Sequence, residues 1–225
     1  LRDLADGGGT VLLFGGRQGE VRVLSDALSD SESGLRVPLS DLRLRGSHNL
    51  ANACAAALAA RLVGVHAQDI ASVLRSFRGL AHRMQYVATL GGVEYIDDSK
   101  ATNVGATAAA LDGLERASGK IVLIAGGVDK GGSYEPVRRR MAERGRAVVV
   151  LGEAAPLIER AFAGSGPEVR RAASMEEAVR HASAVAQAGD TVLLAPACAS
   201  FDMFRSYAER GDVFQSAVRT LGGQS

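Results

Sequence analysis

Residues 97–103 bring together side chains that could do chemistry: two carboxylates, two hydroxyls and an ammonium, in the order Asp-Asp-Ser-Lys-Ala-Thr-Asn. The apolar run Val93–Ile96 precedes them and an alanine-rich, helix-like run follows, so they should join a strand to a helix. Charged ligands of α/β proteins bind at strand ends and at helix N-termini. The segment therefore predicts a site for a charged substrate, or else a plain helix cap formed by Asp98, Ser99 or Thr102.

Two further loops follow apolar runs in the same manner. The glycine-rich loop 126–132 follows Ile121–Ala125 and carries Lys130, so its backbone amides and its ammonium could bind an anion; a plain turn is the alternative. The loop 195–202 places Ser200 at the predicted start of the last helix, where it could cap the helix or hold a carboxylate. If the three loops meet at one sheet edge, they form a small-molecule site.

A second group of polar residues stands nearer the start of the chain. Asn49 and Asn52 lie three positions apart on one face of a predicted helix, where their amides could recognise a purine edge or could simply cap the helix and face solvent. His48 has no second ligand at metal-binding spacing, so a structural or capping role is predicted for it. Arg83, in a predicted connector, could clamp a phosphate or extend into solvent.

The composition excludes several classes of protein. The chain has 225 residues, 47% of them hydrophobic, and a formal net charge of +1, which is typical of a globular protein. It has no apolar run near the roughly 20 residues of a membrane span, and no basic, aromatic-rich signal for nucleic-acid binding. Its first residues lack the pattern of a signal peptide, so we expect a cytoplasmic location. Cys54 and Cys198 lie among alanines and should be buried thiols. Of only three lysines, Lys100 and Lys130 fall in the loops described above.

The helices and strands that must position these residues follow one pattern before residue 78 and another after residue 84. Short strand-like runs at Val11–Phe14, Val21–Leu24 and Leu35–Pro38 predict hairpins or a meander, and helices should follow at His48–Gly64 and Ala67–Phe77. A candidate domain boundary comes next, and beyond it strands alternate with helices, which predicts a mostly parallel sheet with helices on both faces. The boundary and the later elements are Arg78–Met84, then Tyr86–Thr89, Val93–Ile96, Asn103–Leu114, Ile121–Ala125, Tyr134–Arg144, Ala147–Leu151, Ala154–Phe162, Glu168–Arg171, a helix opening with a capping box at Ser174–Glu177, Thr191–Ala195 and a helix from about Phe201 to Thr220.

Taken in order, the motifs resemble those of the Mur ligases, which form amide bonds in peptidoglycan synthesis. The segments that carry the resemblance are His48–Asn52, His82–Arg83, Asp97–Asn103, Ala125–Lys130, Pro196–Asp202 and Arg210–Phe214. The Ser-Lys-Ala-Thr form at residues 99–102 is that of members that add D-glutamate. The resemblance implies that residues 1–80 are the tail of a central ATP-binding α/β domain and that residues 81–225 are a C-terminal Rossmann-like domain.

The resemblance also implies a reaction. In this family ATP, with Mg²⁺, activates a nucleotide-linked carboxylate as an acyl phosphate that an amine then attacks; the substrates here would be UDP-N-acetylmuramoyl-L-alanine and D-glutamate. By position in the motifs, the nucleotide-binding residues would be Asn49, Asn52, Arg83 and Asp98. The D-glutamate-binding residues would be Lys100, Thr102, Lys130, Ser200, Phe201 and Tyr207, the last through its backbone, with Lys130 and Arg83 supporting catalysis.

The same resemblance limits what the chain should do by itself. The phosphate-binding loop, the magnesium ligands and the modified lysine of the family lie upstream of the matching motifs. We therefore expect a monomeric piece of a longer ligase, without metal ligands of its own and inactive alone. Two other predictions stay open: a sister ligase that adds another amino acid, including the folylpolyglutamate type, and a non-catalytic Rossmann-like module that binds a nucleotide or an amino acid.

Overall fold

The chain divides into two compact units, Leu1–Gly79 and Leu80–Ser225. A computed structural model describes residues 12–15, 19–43, 47–114 and 119–223, apart from the side chains of Ser47 and His48. The prediction for His48 and the start of the first predicted strand, Val11, lie outside this description. The division falls within the predicted connector, and the assignment of the two units to parts of two ligase domains stays a prediction.

The first unit contains a meander, as predicted, but the first predicted strand is wrong: Leu12 and Leu13 belong to no strand, and Phe14 forms only an isolated bridge with Val21. Strands β1 (Val21–Val23), β2 (Ala27–Asp30) and β3 (Leu35–Pro38) pair antiparallel in that order. A short 3₁₀ helix follows at Leu39–Asp41, and then α1 (Ser47–Leu62) and α2 (Ala67–Ser76). Strand β2 was not predicted, because Ala-Leu-Ser-Asp is too short and too polar to give a strand pattern.

One face of each helix of this unit is apolar and buried. Helix α1 contributes Ala53, Cys54, Ala57 and Leu58 to the core, and α2 contributes Ile70, Ala71 and Leu74. Two apolar residues of the predicted helix Ala67–Phe77 lie outside this core: Val73 is 61% exposed and Phe77 is 40% exposed. The small side chain of Ala71 takes part in the core in their place.

The second unit is built on a six-stranded sheet. Its strands are β4 (Gln85–Leu90), β5 (Val93–Asp97), β6 (Ile121–Gly126), β7 (Gly145–Leu151), β8 (Glu168–Arg171) and β9 (Thr191–Leu194). They are arranged in the order β4-β5-β9-β6-β7-β8. Only β4 runs antiparallel to its neighbour, in a hairpin with β5, and the other pairs are parallel. The predicted mostly parallel sheet is confirmed.

Helices cover both faces of this sheet. They are α3 (Val104–Gly113), α4 (Glu135–Arg144), α5 (Ala155–Phe162), α6 (Met175–Val185) and α7 (Tyr207–Gly222). Residues of α3, α4 and α5 share one core with one face of the strands, and residues of α6 and α7 share a second core with the other face. Because β9 lies between β5 and β6, the loops that follow these three strands leave the same edge side by side.

The helix starts explain where the loops end. Asn103 caps α3 by accepting a bond from the Ala106 amide, so none of the three caps proposed from the sequence is used. The Ser174 cap predicted for α6 is confirmed, because its side chain accepts from the Glu177 amide. The reciprocal bond of the predicted capping box is shifted by one residue, since Glu177 Oε2 accepts from the Ala173 amide at 2.6 Å. The predicted start of the last helix at Phe201 was wrong: α7 begins at Tyr207, where Ser206 is the cap.

Candidate active site

One buried arginine of α7 joins the loops after β5, β6 and β9. Arg210 is 1% exposed, and its guanidinium donates to Ser99 Oγ at 3.0 Å and to the Ser99 carbonyl at 2.8 Å. It also donates to the carbonyls of Cys198 at 3.2 Å and Gly126 at 3.5 Å. Burial lowers the pKa of Arg210 to about 10, so the guanidinium is still charged at neutral pH. Each of the three loops therefore accepts a charged hydrogen bond from the same side chain.

The backbones of the loops also bond directly to one another. The amide of Ala197, which has a left-handed φ of 61°, donates to the Ala101 carbonyl at 2.9 Å. Val128 and Ala199 exchange backbone bonds of 2.9 and 3.0 Å. Gly127 lies at this contact with φ 129°, and a Cβ there would overlap the Ala199 carbonyl oxygen. The three loops, whose meeting at one sheet edge the sequence left open, do meet there, and their contact requires glycine at this point.

Lys100 lies against Tyr207, the first residue of α7. Its Nζ donates to Tyr207 Oη at 3.2 Å and is 4.4 Å from the centroid of the tyrosine ring. The Tyr207 carbonyl in turn accepts a bond of 2.7 Å from Ser99 Oγ. Lys100 and Tyr207 are both half-buried, so their contact lies near the surface of the protein.

Lys130 occupies the glycine-rich loop and contacts the first loop. Its exposed Nζ donates to Thr102 Oγ1 at 3.3 Å. The loop is shaped by Asp129, which accepts from the Gly131 amide at 2.9 Å and from Tyr134 Oη at 2.7 Å. Burial, and then the bonds to Cys198 and Asp129, raise the pKa of Tyr134 far above its ordinary value, so its hydroxyl stays a donor.

Neither Lys100 nor Lys130 has a carboxylate partner among the side chains that the structure describes. Each ammonium instead donates a hydrogen bond to a hydroxyl group. Nine arginines of the described chain, in contrast, lie within ion-pair distance of an acidic side chain. These are Arg36, Arg61, Arg75, Arg138, Arg140, Arg146, Arg170, Arg171 and Arg205. Two ammonium groups with only neutral partners, next to helix N-termini, are suited to bind an acidic ligand.

Asp97, the last residue of β5, is fully buried in a hydrogen-bond network. Its Oδ2 is 2.8 Å from His82 Nδ1 and accepts from Gln215 Nε2 at 2.7 Å. Its Oδ1 accepts from the Ser99 amide at 2.9 Å, which fixes the start of the first loop. Gly211 of α7 passes so close that a Cβ there would overlap His82 Nδ1. Asp97 is therefore a structural carboxylate rather than a ligand group.

Asp98 differs from its neighbour, because among the described residues its carboxylate accepts a single hydrogen bond. Its Oδ1 accepts from the Met84 amide at 3.2 Å. Burial, assisted by the charge of Asp97, raises the pKa of Asp98 to about 6, and the charge of Arg83 only partly opposes this. Arg83 is half-buried, and its Nε has no hydrogen-bond partner within the described part of the chain.

The remaining predicted residues are placed as follows. Ser200 is buried, at 2% exposure, and lies in a loop rather than at a helix start, whereas the Phe201 ring beside it is 76% exposed. Asn49 and Asn52 belong to the first unit, on α1, where Asn49 is buried and Asn52 is exposed. The binding roles of these residues stay predictions.

Sequence reasoning gave no role to Arg210, although it lay in one of the quoted motifs. A signal was present: Arg210 is followed at four-residue steps by Phe214 and Val218, so it occupies the apolar stripe of its helix. A charged residue on a buried stripe needs partners from elsewhere in the fold. The role of His82 was missed as well, since its partners Asp97 and Gln215 are distant in sequence.

Two kinds of feature are absent from residues 12–15, 19–43, 47–114 and 119–223. No three His, Cys, Asp or Glu side chains are grouped there so as to hold a metal ion. No helix among them is both long enough and apolar enough to cross a membrane.

Comparison with known proteins identifies relatives of the chain. The family described as "Mur ligase, glutamate ligase domain" matches residues 82–198. Proteins named UDP-N-acetylmuramoylalanine–D-glutamate ligase from Burkholderia mallei and Burkholderia pseudomallei are 52% identical over 185 residues. That alignment covers 82% of this chain and 36% of each relative, so the chain spans little more than a third of their length.

Solved structures share the fold at low sequence identity. UDP-N-acetylmuramate-alanine ligase from Thermotoga maritima gives a TM-score of 0.68 at 17% identity, covering 93% of this chain and 47% of that one. A folylpolyglutamate synthase from Mycobacterium tuberculosis, complexed with ADP, gives 0.63 at 17% identity, covering 92% and 49%. These similarities show that the chain shares its arrangement of helices and strands with both proteins.

Proposed function

The chain belongs to the Mur ligase family, and we propose that it is the amino-acid-binding part of a ligase that joins D-glutamate to UDP-N-acetylmuramoyl-L-alanine at the expense of ATP. One observation carries the proposal: Lys100 and Lys130, on loops that Arg210 ties together, have only hydroxyl partners within the described structure. The 52% identity to D-glutamate ligases supports the choice of amino acid.

The proposed substrate has two carboxylates, and the site offers two ammonium groups. Lys100 and Lys130 would bind the two acidic groups, with Thr102 Oγ1 and Ser200 as neutral donors beside them. Phe201 would cover the ligand from the solvent side, since its ring is free to contact it. Held at both ends, the amino acid would present its amine in one direction, which is the positioning that amide formation requires.

The nucleotide would bind through a different set of residues. We propose that Asn49 and Asn52 contact adenine, and that Arg83 and Asp98 contact the phosphate and ribose region. In the whole enzyme ATP would supply the phosphoryl group that activates the nucleotide-linked carboxylate, and Mg²⁺ would accompany it. The described residues include no group of His, Cys, Asp or Glu side chains that could hold the metal. A monomeric, cytoplasmic enzyme is part of the same proposal.

The direct test is phosphate release by the full-length gene product with ATP, Mg²⁺ and UDP-N-acetylmuramoyl-L-alanine. D-Glutamate, L-glutamate and L-lysine are compared as acceptors, and only D-glutamate should support turnover. A preference for another amino acid would replace D-glutamate by that substrate, and no turnover with any of them would favour a binding module. The 225-residue chain, assayed alone, tests the prediction that it is inactive.

Lysine variants in the same enzyme test the site itself. Lys100→Ala and Lys130→Ala should each raise the KM for D-glutamate about 10- to 100-fold, the loss expected for one charged hydrogen bond. Lys120→Ala is the matched control, because Lys120 is also exposed but precedes β6, at the opposite end of the strand from Lys130. An equal effect of all three substitutions would contradict a specific anion site.

A further inference from the structure

The side chain of Tyr207 holds the ammonium of Lys100 in two ways. Lys100 Nζ donates to the phenol oxygen at 3.2 Å and lies 4.4 Å from the ring centroid. The second distance is within the about 6 Å over which an aromatic face attracts a cation. The hydroxyl and the ring therefore act on the same charge, at a lysine proposed to bind substrate.

Tyr207 is itself fixed on three sides. As the first residue of α7 it follows the cap Ser206, whose side chain accepts from the Glu209 amide. Its carbonyl is bonded to Ser99 Oγ at 2.7 Å. Its ring meets the His82 ring edge-on, with centroids 6.3 Å apart and planes at 79°. The tyrosine is thus the rigid partner, and the flexible lysine is oriented against it.

We infer that Tyr207 is a positioning residue, which holds the Lys100 ammonium where it receives a carboxylate of the amino-acid substrate. This inference rests on the proposed function and adds a role for the side chain, where the motif implied only the backbone. A lysine held in advance loses less rotamer entropy when the ligand binds. Tyr207 should therefore act on the affinity for D-glutamate rather than on the rate of the chemical step.

The Lys100–Tyr207 contact can be measured without catalysis. The 225-residue chain has only three lysines, so its ε-methylene groups, labelled with ¹³C-lysine, should give few NMR signals. A Lys100→Arg variant assigns one of them. The ring current of Tyr207 should shift the Lys100 signal upfield; Tyr207→Phe should keep much of that shift and Tyr207→Leu should abolish it. The Lys120 and Lys130 signals serve as internal references. A Lys100 signal that does not respond to Tyr207→Leu would overturn the inference.

The functional consequence is measured in the full-length enzyme. Tyr207→Phe should raise the KM for D-glutamate about 3- to 10-fold and Tyr207→Leu further, with kcat within about twofold and the KM for ATP unchanged. Tyr86→Phe is the matched control, since it removes an exposed hydroxyl that bonds Thr89 at 3.0 Å on the edge strand.

A double substitution separates positioning from general damage. In a Lys100→Met background, Tyr207→Phe should have no further effect on the KM for D-glutamate, because the ammonium it positions is gone. An undiminished effect in that background, or an equal rise in the KM for ATP, would overturn the inference. Absence of turnover with D-glutamate in the unsubstituted enzyme would instead refute the proposed function, while the NMR experiment still decides whether Tyr207 orients Lys100.

Discussion

Replacing Arg210 by methionine should destabilise the second unit strongly. Methionine keeps much of the apolar stem of the side chain and removes the guanidinium. The carbonyls of Ser99, Cys198 and Gly126, which accept from it at 2.8, 3.2 and 3.5 Å, would then lose this donor in a buried region. Because these carbonyls belong to three different loops, the loss should loosen the site as well as the fold.

The magnitude follows from two opposing effects. Leaving a buried polar group without its partner costs about 1–3 kcal/mol, so three carbonyls would cost about 3–9 kcal/mol if the effects were additive. Removing the buried charge recovers part of this: burial lowers the pKa of Arg210 from 12.5 to about 10, which corresponds to about 3 kcal/mol. A net loss of about 3 kcal/mol is expected, equivalent to a decrease in Tm of about 6–12 °C for a protein of this size.

The assay is thermal and denaturant unfolding of the 225-residue chain, with Arg205→Met as the control. Arg205 is also an arginine near the start of α7, but its side chain is 91% exposed and it pairs with Glu209 at the surface, so its loss should cost less than about 1 kcal/mol. Arg210→Lys should not rescue stability, because one ammonium cannot reproduce the planar fork. If Arg210→Met melted within about 2 °C of the Arg205→Met control, the proposed joining of the loops would be refuted.

Three further predictions concern groups around the same site. Asp98→Asn should stabilise the chain at pH 7.5 by up to about 3 kcal/mol, because burial gives Asp98 a folded-state pKa of about 6 against an ordinary value of 3.8. The stabilisation should be absent below about pH 3, where the carboxyl is protonated in the folded and the unfolded chain alike, and should grow between about pH 4 and about pH 6. A pH-independent difference in unfolding free energy would contradict this. Gly211→Ala should destabilise the chain by about 1–3 kcal/mol, because the added methyl group would overlap His82. Gly105→Ala, in the open first turn of α3, should instead stabilise the chain by about 0.5–1 kcal/mol. Denaturant titrations that gave both variants an effect of the same sign would refute the packing argument. Tyr134→Phe removes the hydrogen bond to Asp129 and should make the glycine-rich loop more mobile. The KM for D-glutamate should therefore rise about threefold, with little change in Tm. An unchanged KM would count against a contact between that loop and the substrate.

The sheet of the second unit could be predicted from the sequence because its strands are buried on both faces. Ile121–Gly126 is apolar apart from its last glycine, and every residue of it is buried. A continuous apolar run of this kind predicts both that the segment is a strand and that both of its faces are buried. The start of α7 could not be predicted in the same way. Ser200 resembles a helix cap, yet its carbonyl accepts from the Met203 and Phe204 amides in a turn that ends before Ser206. Ser200 and Ser206 are equally suitable residues for a helix cap, and only tertiary packing determines which of them begins the helix.

The charged residues of the candidate site could be predicted from the sequence, whereas the contacts that bring their loops together could not. Lys100 and Lys130 could be recognised because lysine is rare in this chain and each follows a strand. The insertion of β9 between β5 and β6 is not visible in chain order, although it brings the loops together. The bonds of Arg210 go largely to backbone carbonyls, which every residue possesses, so no side-chain pattern could identify its partners.

The arrangement of charge at this sheet edge favours binding of an acidic ligand over internal ion pairing. Carboxylates are present close by, but the structure gives them other partners: Asp97 accepts from Gln215 and a backbone amide beside His82, and Asp129 accepts from the Tyr134 hydroxyl and a backbone amide. Had either carboxylate paired with a lysine, a ligand would have to break that pair before binding. Satisfying the acids with neutral donors, and the lysines with hydroxyl groups, keeps both ammonium charges available at the point where the loops of β5, β6 and β9 meet.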